Sequence, residues 1–204
     1  ILVNNAGILR DKMIFSMTEE DWDMVIKVHL YGHFHTTRPA CAIFREQRSG
    51  RIINTSSQAG IGFAPGQTNY GAAKEGIIGF TRNLARDMGR YGVTCNAIRP
   101  SAGTRLTLNE DIRKAWEASG MKGAAEYMES LKPEDVAALV VWLASDDAAN
   151  VNGRDFWVST GKIALYSLPV EERTLFGWKN ADDLFTMMPQ LAAGLINPAP
   201  PKAK

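Results

Sequence analysis

Four short β-branched or apolar runs, each closed by a turn and each separated from the next by a long helical pattern, constrain this chain more than any other feature. Ile1-Leu2-Val3 ends at Asn4-Asn5-Ala6-Gly7. Arg51-Ile52-Ile53-Asn54-Thr55 runs into Ser56 and Ser57. Val93-Thr94-Cys95-Asn96-Ala97-Ile98 is closed by Pro100, and a fourth run covers residues 155–159. Strand and helix therefore alternate along the chain. That order predicts an α/β fold built on a parallel sheet.

The helical patterns carry their own punctuation. Thr18 precedes Glu19, Glu20 and Asp21, an N-cap followed by acidic residues in the first turn. Trp22, Val25, Ile26, Leu30 and Phe34 recur at helical spacing, so one long helix is predicted toward Arg48, stopped by Ser49-Gly50. A second helix is predicted from near Asn69 to about Met88. Its Gly71, Ala72, Ala73, Gly76 and Gly79 permit close packing on a sheet or on a twin helix. An amphipathic stretch then reaches Glu129, with a break at Ser119-Gly120. Pro133 suits the first turn of a helix ending near Ala144. Residues 1–161 are read as one α/β unit. Residues 162–204 are read as an extension that ends in a Pro-rich linker or tail over residues 197–204.

Composition narrows the function classes. A formal net charge of +1 over 204 residues favours neither nucleic acid nor an anionic membrane as partner. The longest apolar run, residues 136–144, falls short of a membrane span. Cys41 and Cys95 stand far apart and outside any CxxC pattern, so they are read as free thiols packed as small hydrophobes. No leader is visible, although the chain opens without Met in an apolar run, so its true start is expected upstream.

Ser57, Tyr70 and Lys74 carry the chemistry. Tyr70 and Lys74 lie one helical turn apart and share a face. A cation beside a phenol favours the phenolate and is expected to lower the Tyr70 pKa toward working pH. A phenol so tuned exchanges a proton with an alcohol or carbonyl oxygen. Ser57, at a strand end, is placed to hydrogen-bond the same oxygen, at the sheet edge where ligands bind in such folds. Singly, a Tyr-x-x-x-Lys pair is a weak signal, and a strand-end Ser is commonly a turn residue. Jointly, a strand into Ser57, a Gly-rich loop and Asn69-Tyr70-Gly71-Ala72-Ala73-Lys74 opening a small-residue helix form a specific pattern.

With those residues in place, residues 1–161 closely resemble the short-chain dehydrogenase/reductase family. The resemblance implies a doubly wound, Rossmann-like parallel sheet and an NAD or NADP cofactor. It assigns Tyr70 as acid/base and Ser57 as the group orienting the substrate oxygen. Lys74 would lower the Tyr70 pKa and hold the nicotinamide ribose. Asn4-Asn5-Ala6-Gly7 resembles the family segment that stabilises the sheet and borders the cofactor, which brings Asn4, Ala6 and Gly7 into the expected cofactor site. Asn96-Ala97-Ile98-Arg99-Pro100 resembles the segment before the nicotinamide, which adds Pro100, Ala102 and Thr104. Subunits of the family pair through the helices that carry Thr18 and Tyr70, so a homo-oligomer is expected.

Val28-His29-Leu30-Tyr31-Gly32, residues 100–105, Trp142-Leu143 and Asn152-Gly153 are similar to the D-3-hydroxyacyl-CoA dehydrogenase portion of peroxisomal multifunctional enzymes of type 2 and their bacterial relatives. That likeness implies a 3-hydroxyacyl-CoA substrate, and a hydratase domain joined through the Pro-rich end. It also implies a cytoplasmic location, or a peroxisomal one in a eukaryote. The alternatives are a 3-oxoacyl-carrier-protein or ketosteroid reductase, and a truncated non-catalytic scaffold.

Three departures qualify the resemblance. The Gly-rich phosphate loop is absent, so the first βα units, roughly 60–90 residues at about 30 or more per βαβ unit, are expected to be missing. His29 stands where the family commonly has a catalytic Asn; it is carried as a catalytic candidate able to bond water or move a proton, beside the reading of a packed helix His. Ser101 replaces the Gly that usually follows Pro100. His29, His33 and His35 have no Cys or acidic partner at ligand spacing, so no metal is expected. Met121, Tyr127 and Met128 either line an apolar substrate slot or pack a lid onto the body.

Overall fold

A computed structural model describes residues 1–108, 110, 113, 114, 116, 120 and 123–195. They divide into two compact units, Ile1–Tyr166 and Ser167–Lys204. The first holds a five-stranded sheet in the order β1 (Leu2–Asn4), β2 (Gly50–Thr55), β3 (Val93–Pro100), β4 (Asp155–Ser159), β5 (Lys162–Leu165). Neighbours from β1 to β4 are parallel, as the alternation predicts; β5 turns back antiparallel on β4. This last strand is absent from the sequence reading, which ends the α/β unit at residue 161. Ile163 and Leu165 of β5 are exposed, so no alternation of buried and polar positions marks it.

The central strands read as continuous apolar runs because both faces are covered. Successive side chains point to opposite faces. Ile52 packs with Phe44, Ala85, Met88, Val93 and Cys95 on the side of α2 (Gly32–Gln47) and α3 (Thr68–Gly89). Ile53 packs with Ile98, Leu139, Leu143 and Val158 on the side of α5 (Pro133–Ala144). Burial of each of the larger aliphatic and aromatic side chains among these stabilises the fold by about 1.5–3 kcal/mol. Cys95 is buried and Cys41 half-buried, and both are free.

The helix predicted from Thr18 begins as α1 (Glu19–Ile26). Thr18 caps it with a reciprocal box, its hydroxyl accepting from Asp21 N and the Asp21 carboxylate accepting from Thr18 N. It does not continue uniformly to Arg48. A π-helical turn, Lys27–Tyr31, separates α1 from α2. There the His33 Nδ1–H donates to the His29 carbonyl at 2.6 Å, a side-chain insertion of the kind that widens a helical ladder. Composition and periodicity hold no signature of it.

α4 (Ala124–Ser130) precedes α5, with Pro133 at the start of α5 as predicted. Ser119, of the expected break, and Met121 lie outside the described residues. The second unit contains α6 (Ala181–Leu191), capped by the Asn180 carbonyl oxygen accepting from Asp183 N. The Pro-rich segment 197–204 also lies outside the described residues. No helix among the described residues is long and apolar enough to cross a membrane.

Candidate active site

Strand ends, one loop and one helix converge on a cavity of about 550 Å³. It opens at the carboxyl edge of the parallel strands, where the chain leaves each strand for its crossover. Gly7, His29, Ser57, Tyr70, Lys74, Pro100, Ala102 and Thr104 line it. Most residues expected from the sequence are thus brought together.

Asn4 and Ala6 are the exceptions, since neither is among the lining residues. The Asn4 side chain is turned into a buried network. Its Nδ2 donates to Thr37 Oγ1 at 3.0 Å and to Asn54 Oδ1 at 2.8 Å, and its Oδ1 accepts from Thr36 Oγ1 at 2.6 Å. Asn54 Nδ2 carries the chain onward to Thr81 Oγ1 at 2.9 Å. These bonds tie β1, β2, α2 and α3 together just below the cavity, in surroundings where every unmet bond is costly.

Ser57 follows β2. Its Oγ accepts from Ala59 N at 3.2 Å, which closes the tight turn Gln58–Ile61. Tyr70 and Lys74 project from the first turns of α3. Asn69 anchors that end of the helix: its Nδ2 donates to the Arg10 and Asp21 carbonyls and its Oδ1 accepts from Tyr70 N. The Tyr70 phenol and the Ser57 hydroxyl line the same cavity, and Ser57 favours the phenolate. Lys74 Nζ lies 5.3 Å from the centre of the Tyr70 ring and donates to the Thr55 carbonyl at 2.7 Å.

The electrostatics differ from the sequence expectation of an acidified phenol. Burial pushes Tyr70 up to about 12; the Ser57 hydrogen bond opposes that rise and the Asp11 carboxylate adds to it. Burial also pulls the Lys74 ammonium down to about 7. Desolvation disfavours the charged form of both groups. Tyr70 is therefore a proton-bearing phenol, and Lys74 titrates near neutrality.

His29 is fully buried, and its ring meets the Tyr70 ring edge-on at 5.1 Å between centres. Its Nε2 faces both the carbonyl of Ile8, at 2.8 Å, and the amide of Ile8, at 3.1 Å. Burial, then the Lys74 charge, lowers its pKa to about 4, so the imidazole is neutral at physiological pH. Gly7 abuts the ring so closely that a Cβ there would sit 2.7 Å from His29 Cε1. His33 is buried and likewise held near 4, mainly by desolvation. Among the described residues no group of three or more His, Cys, Asp or Glu is arranged to hold a metal ion.

Asn5, Thr55, Ser56, Arg105, Leu106 and Thr107 also line the cavity and were not singled out from the sequence. Thr107 closes a turn with Thr104. Its Oγ1 accepts from Thr104 N at 2.9 Å and donates to the Ala102 carbonyl at 2.8 Å. Tyr127 is 61% exposed, and neither it nor Met128 is among the lining residues, which leaves the apolar-slot reading without support from this cavity.

The residues present fit a nicotinamide–ribose end. Lys74 spends one of its N–H groups on Thr55, which leaves donors for a ribose diol. Ser57 and Tyr70 line the same cavity, which allows both hydroxyls to address one oxygen.

A family model described as enoyl-(acyl carrier protein) reductase matches residues 1–162. Hydroxyacyl-CoA dehydrogenase ChsB1 of Mycobacterium tuberculosis is 45% identical over 186 residues, which cover 85% of this chain and 55% of that protein. Peroxisomal multifunctional enzyme type 2 of Mus musculus is 42% identical over 166 residues, 80% of this chain and 20% of that protein. The crystal structure of a short chain dehydrogenase from Mycobacterium avium superposes with a TM-score of 0.77 at 40% identity, over 98% of this chain and 65% of that one. The chain thus spans about half the length of the first of these relatives.

Proposed function

Because the chain belongs to the short-chain dehydrogenase/reductase family, we propose that it carries the catalytic part of an oxidoreductase acting on the 3-hydroxy or 3-oxo group of an acyl-CoA. The cofactor is NAD or NADP. When bound, the nicotinamide supplies or accepts the hydride. Lys74 and the segments around Gly7, Pro100, Ala102 and Thr104 would hold it. Tyr70 holds the proton that a ketone oxygen receives on reduction, and takes it back on oxidation. Ser57 orients that oxygen with a second hydrogen bond. Lys74, within reach of both the phenol and a bound ribose, favours the phenolate once it carries its own proton. His29 acts as a neutral ring that braces the Gly7-Ile8 loop against Tyr70.

One observation carries this reading: Ser57, Tyr70 and Lys74 line one cavity at the carboxyl edge of a parallel sheet, with Lys74 Nζ 5.3 Å from the Tyr70 ring centre. The description of the matched family favours a second reading, a reductase of acyl chains on carrier protein. A ketosteroid reductase and a non-catalytic scaffold are the remaining outcomes of the test. The protein is further proposed to form a homo-oligomer in an aqueous compartment, cytoplasmic or peroxisomal.

The test assays the protein as its gene encodes it, against 3-hydroxyacyl-CoA, 3-oxoacyl-carrier-protein and ketosteroid substrates with each nicotinamide cofactor. Tyr70→Phe is expected to lower turnover about 10²–10⁴-fold with an unchanged circular dichroism spectrum. Turnover of Tyr70→Phe at the wild-type rate refutes the proposal, and so does inactivity of the wild type on all three classes.

A further inference from the structure

Arg99 stands one residue before the end of β3, and its guanidinium is buried in the middle of the sheet's carboxyl edge. The resemblance gives it no role, and the mechanism above does not use it. Its N–H groups reach three separate elements. Nε donates to both Asp155 carboxylate oxygens, at 3.1 and 2.9 Å, and Nη2 lies 2.8 Å from Asp155 Oδ2. Nη2 also donates to Glu75 Oε2 at 2.9 Å, and Nη1 donates to the backbone carbonyl of Ser57 at 2.7 Å. The Tyr166 ring covers it, 5.1 Å from the guanidinium carbon to the ring centre.

The contacts converge on the Ser57 turn. Glu75 directly follows Lys74 on α3, and Asp155 opens β4. The Ser57 carbonyl accepts from Gly60 N at 3.2 Å as well as from Arg99. Gly60 lets the turn close over the ion cluster: a Cβ there would stand 2.6 Å from Glu75 Oε2 and 3.2 Å from Arg99 Nη1. Gly71 does the same from the helix side, where a Cβ would meet the Ala59 carbonyl at 2.8 Å. A buried Arg with two carboxylates is a poor way to gain stability, since well-packed apolar residues do as well or better. What it supplies is direction, because a planar fork holds several acceptors at fixed angles and an ammonium does not.

We propose that Arg99 is a positioning residue: through the Ser57 carbonyl, and with Glu75 and Asp155 as its anchors, it sets the Ser57 hydroxyl against Tyr70. The inference rests on the oxidoreductase reading for its kinetic arm alone.

The kinetic arm is a double-mutant cycle of Arg99→Lys with Ser57→Ala. Arg99→Lys keeps the charge and loses the fork. It is expected to lower kcat at least about tenfold, with KM for the cofactor within about twofold of wild type. In the Ser57→Ala background the same change is expected to cost less than about twofold, because the group it positions is gone. Equal losses in both backgrounds overturn the proposal. The second arm needs no activity: amide hydrogen exchange across residues 57–61 is expected to speed up about tenfold in Arg99→Lys, with exchange in α5 unchanged. Uniform acceleration across the whole unit would show a general staple and refute the positioning role. Glu75→Gln leaves the Arg99–Asp155 pair in place and guards against a variant that fails to fold. It is expected to shift both readouts in the same direction by a smaller factor, and wild-type values in both would count against the clamp. A wild type without turnover would sink the oxidoreductase reading and leave the exchange arm to decide this one.

Discussion

Replacing Lys74 by Met tests the electrostatics of the site without any assay of activity. Lys74 is 2% exposed, and burial brings its pKa from 10.5 to about 7. Below pH 7 the amine is protonated in both the folded and unfolded chain, and folding carries the whole cost of burying the charge. Above pH 7 the folded protein releases the proton while the unfolded chain retains it until about 10.5, so the wild type gains stability as pH rises through that window. With these two pKa values, the linkage amounts to about 2 kcal/mol between pH 7 and pH 9. Met fills the same space and cannot titrate. The stability of wild type minus that of Lys74→Met, from urea unfolding at pH 7, 8 and 9, should therefore climb by about 2 kcal/mol. Taking the difference cancels groups that behave alike in both proteins. The absolute offset also contains the lost bond to the Thr55 carbonyl, a buried acceptor left with one partner fewer. A difference that stays flat from pH 7 to pH 9 would show that the Lys74 amine is not depressed in the fold.

Other parts of the fold make sharper mechanical predictions. Asn4→Ala removes the buried donor to Asn54 Oδ1 and Thr37 Oγ1 and should cost about 1–3 kcal/mol in urea unfolding; an unchanged midpoint would refute the network. Gly7→Ala forces a Cβ against His29 Cε1 and should destabilise by about 1–3 kcal/mol while moving the His29 ring proton resonances. Resonances that do not move would disprove the close approach. Leu143→Ala opens a cavity among Ile53, Ile98, Leu139 and Val158 and should cost about 2–5 kcal/mol. A loss below 1 kcal/mol would mean that this face of the sheet is not closed.

The order of strands and helices was legible because two periodicities are written into the chain. Ile52 and Ile53 are adjacent and both apolar, which a strand needs only when each of its faces meets a helix. Thr18 with Asp21, and Pro133 at a helix start, are local signals that need no tertiary context. What escaped was decided by long-range contact. The π-helical turn at Lys27–Tyr31 accompanies a hydrogen bond from His33 to the His29 carbonyl, and two histidines four apart are no signature of that. Strand β5 gains its ladder from β4 while Ile163 and Leu165 stay exposed, so its own pattern is silent.

The members of the site were more legible than their charges. Spacing alone brought Ser57, Tyr70 and Lys74 to one cavity, because a strand end and one helix face leave little freedom. Asn4 entered the expected cofactor site through the family resemblance, and its side chain turns inward toward Asn54. Ionisation depends on how much water each group loses, and no spacing encodes that. Burial raises Tyr70 to about 12 and lowers Lys74 to about 7, so the proton stays on the phenol and leaves the amine first. A phenol that keeps its proton beside the Ser57 hydroxyl is set to give it to a carbonyl oxygen. For the reverse reaction Tyr70 must first give up that proton, a change that a protonated Lys74, 5.3 Å from its ring centre, favours.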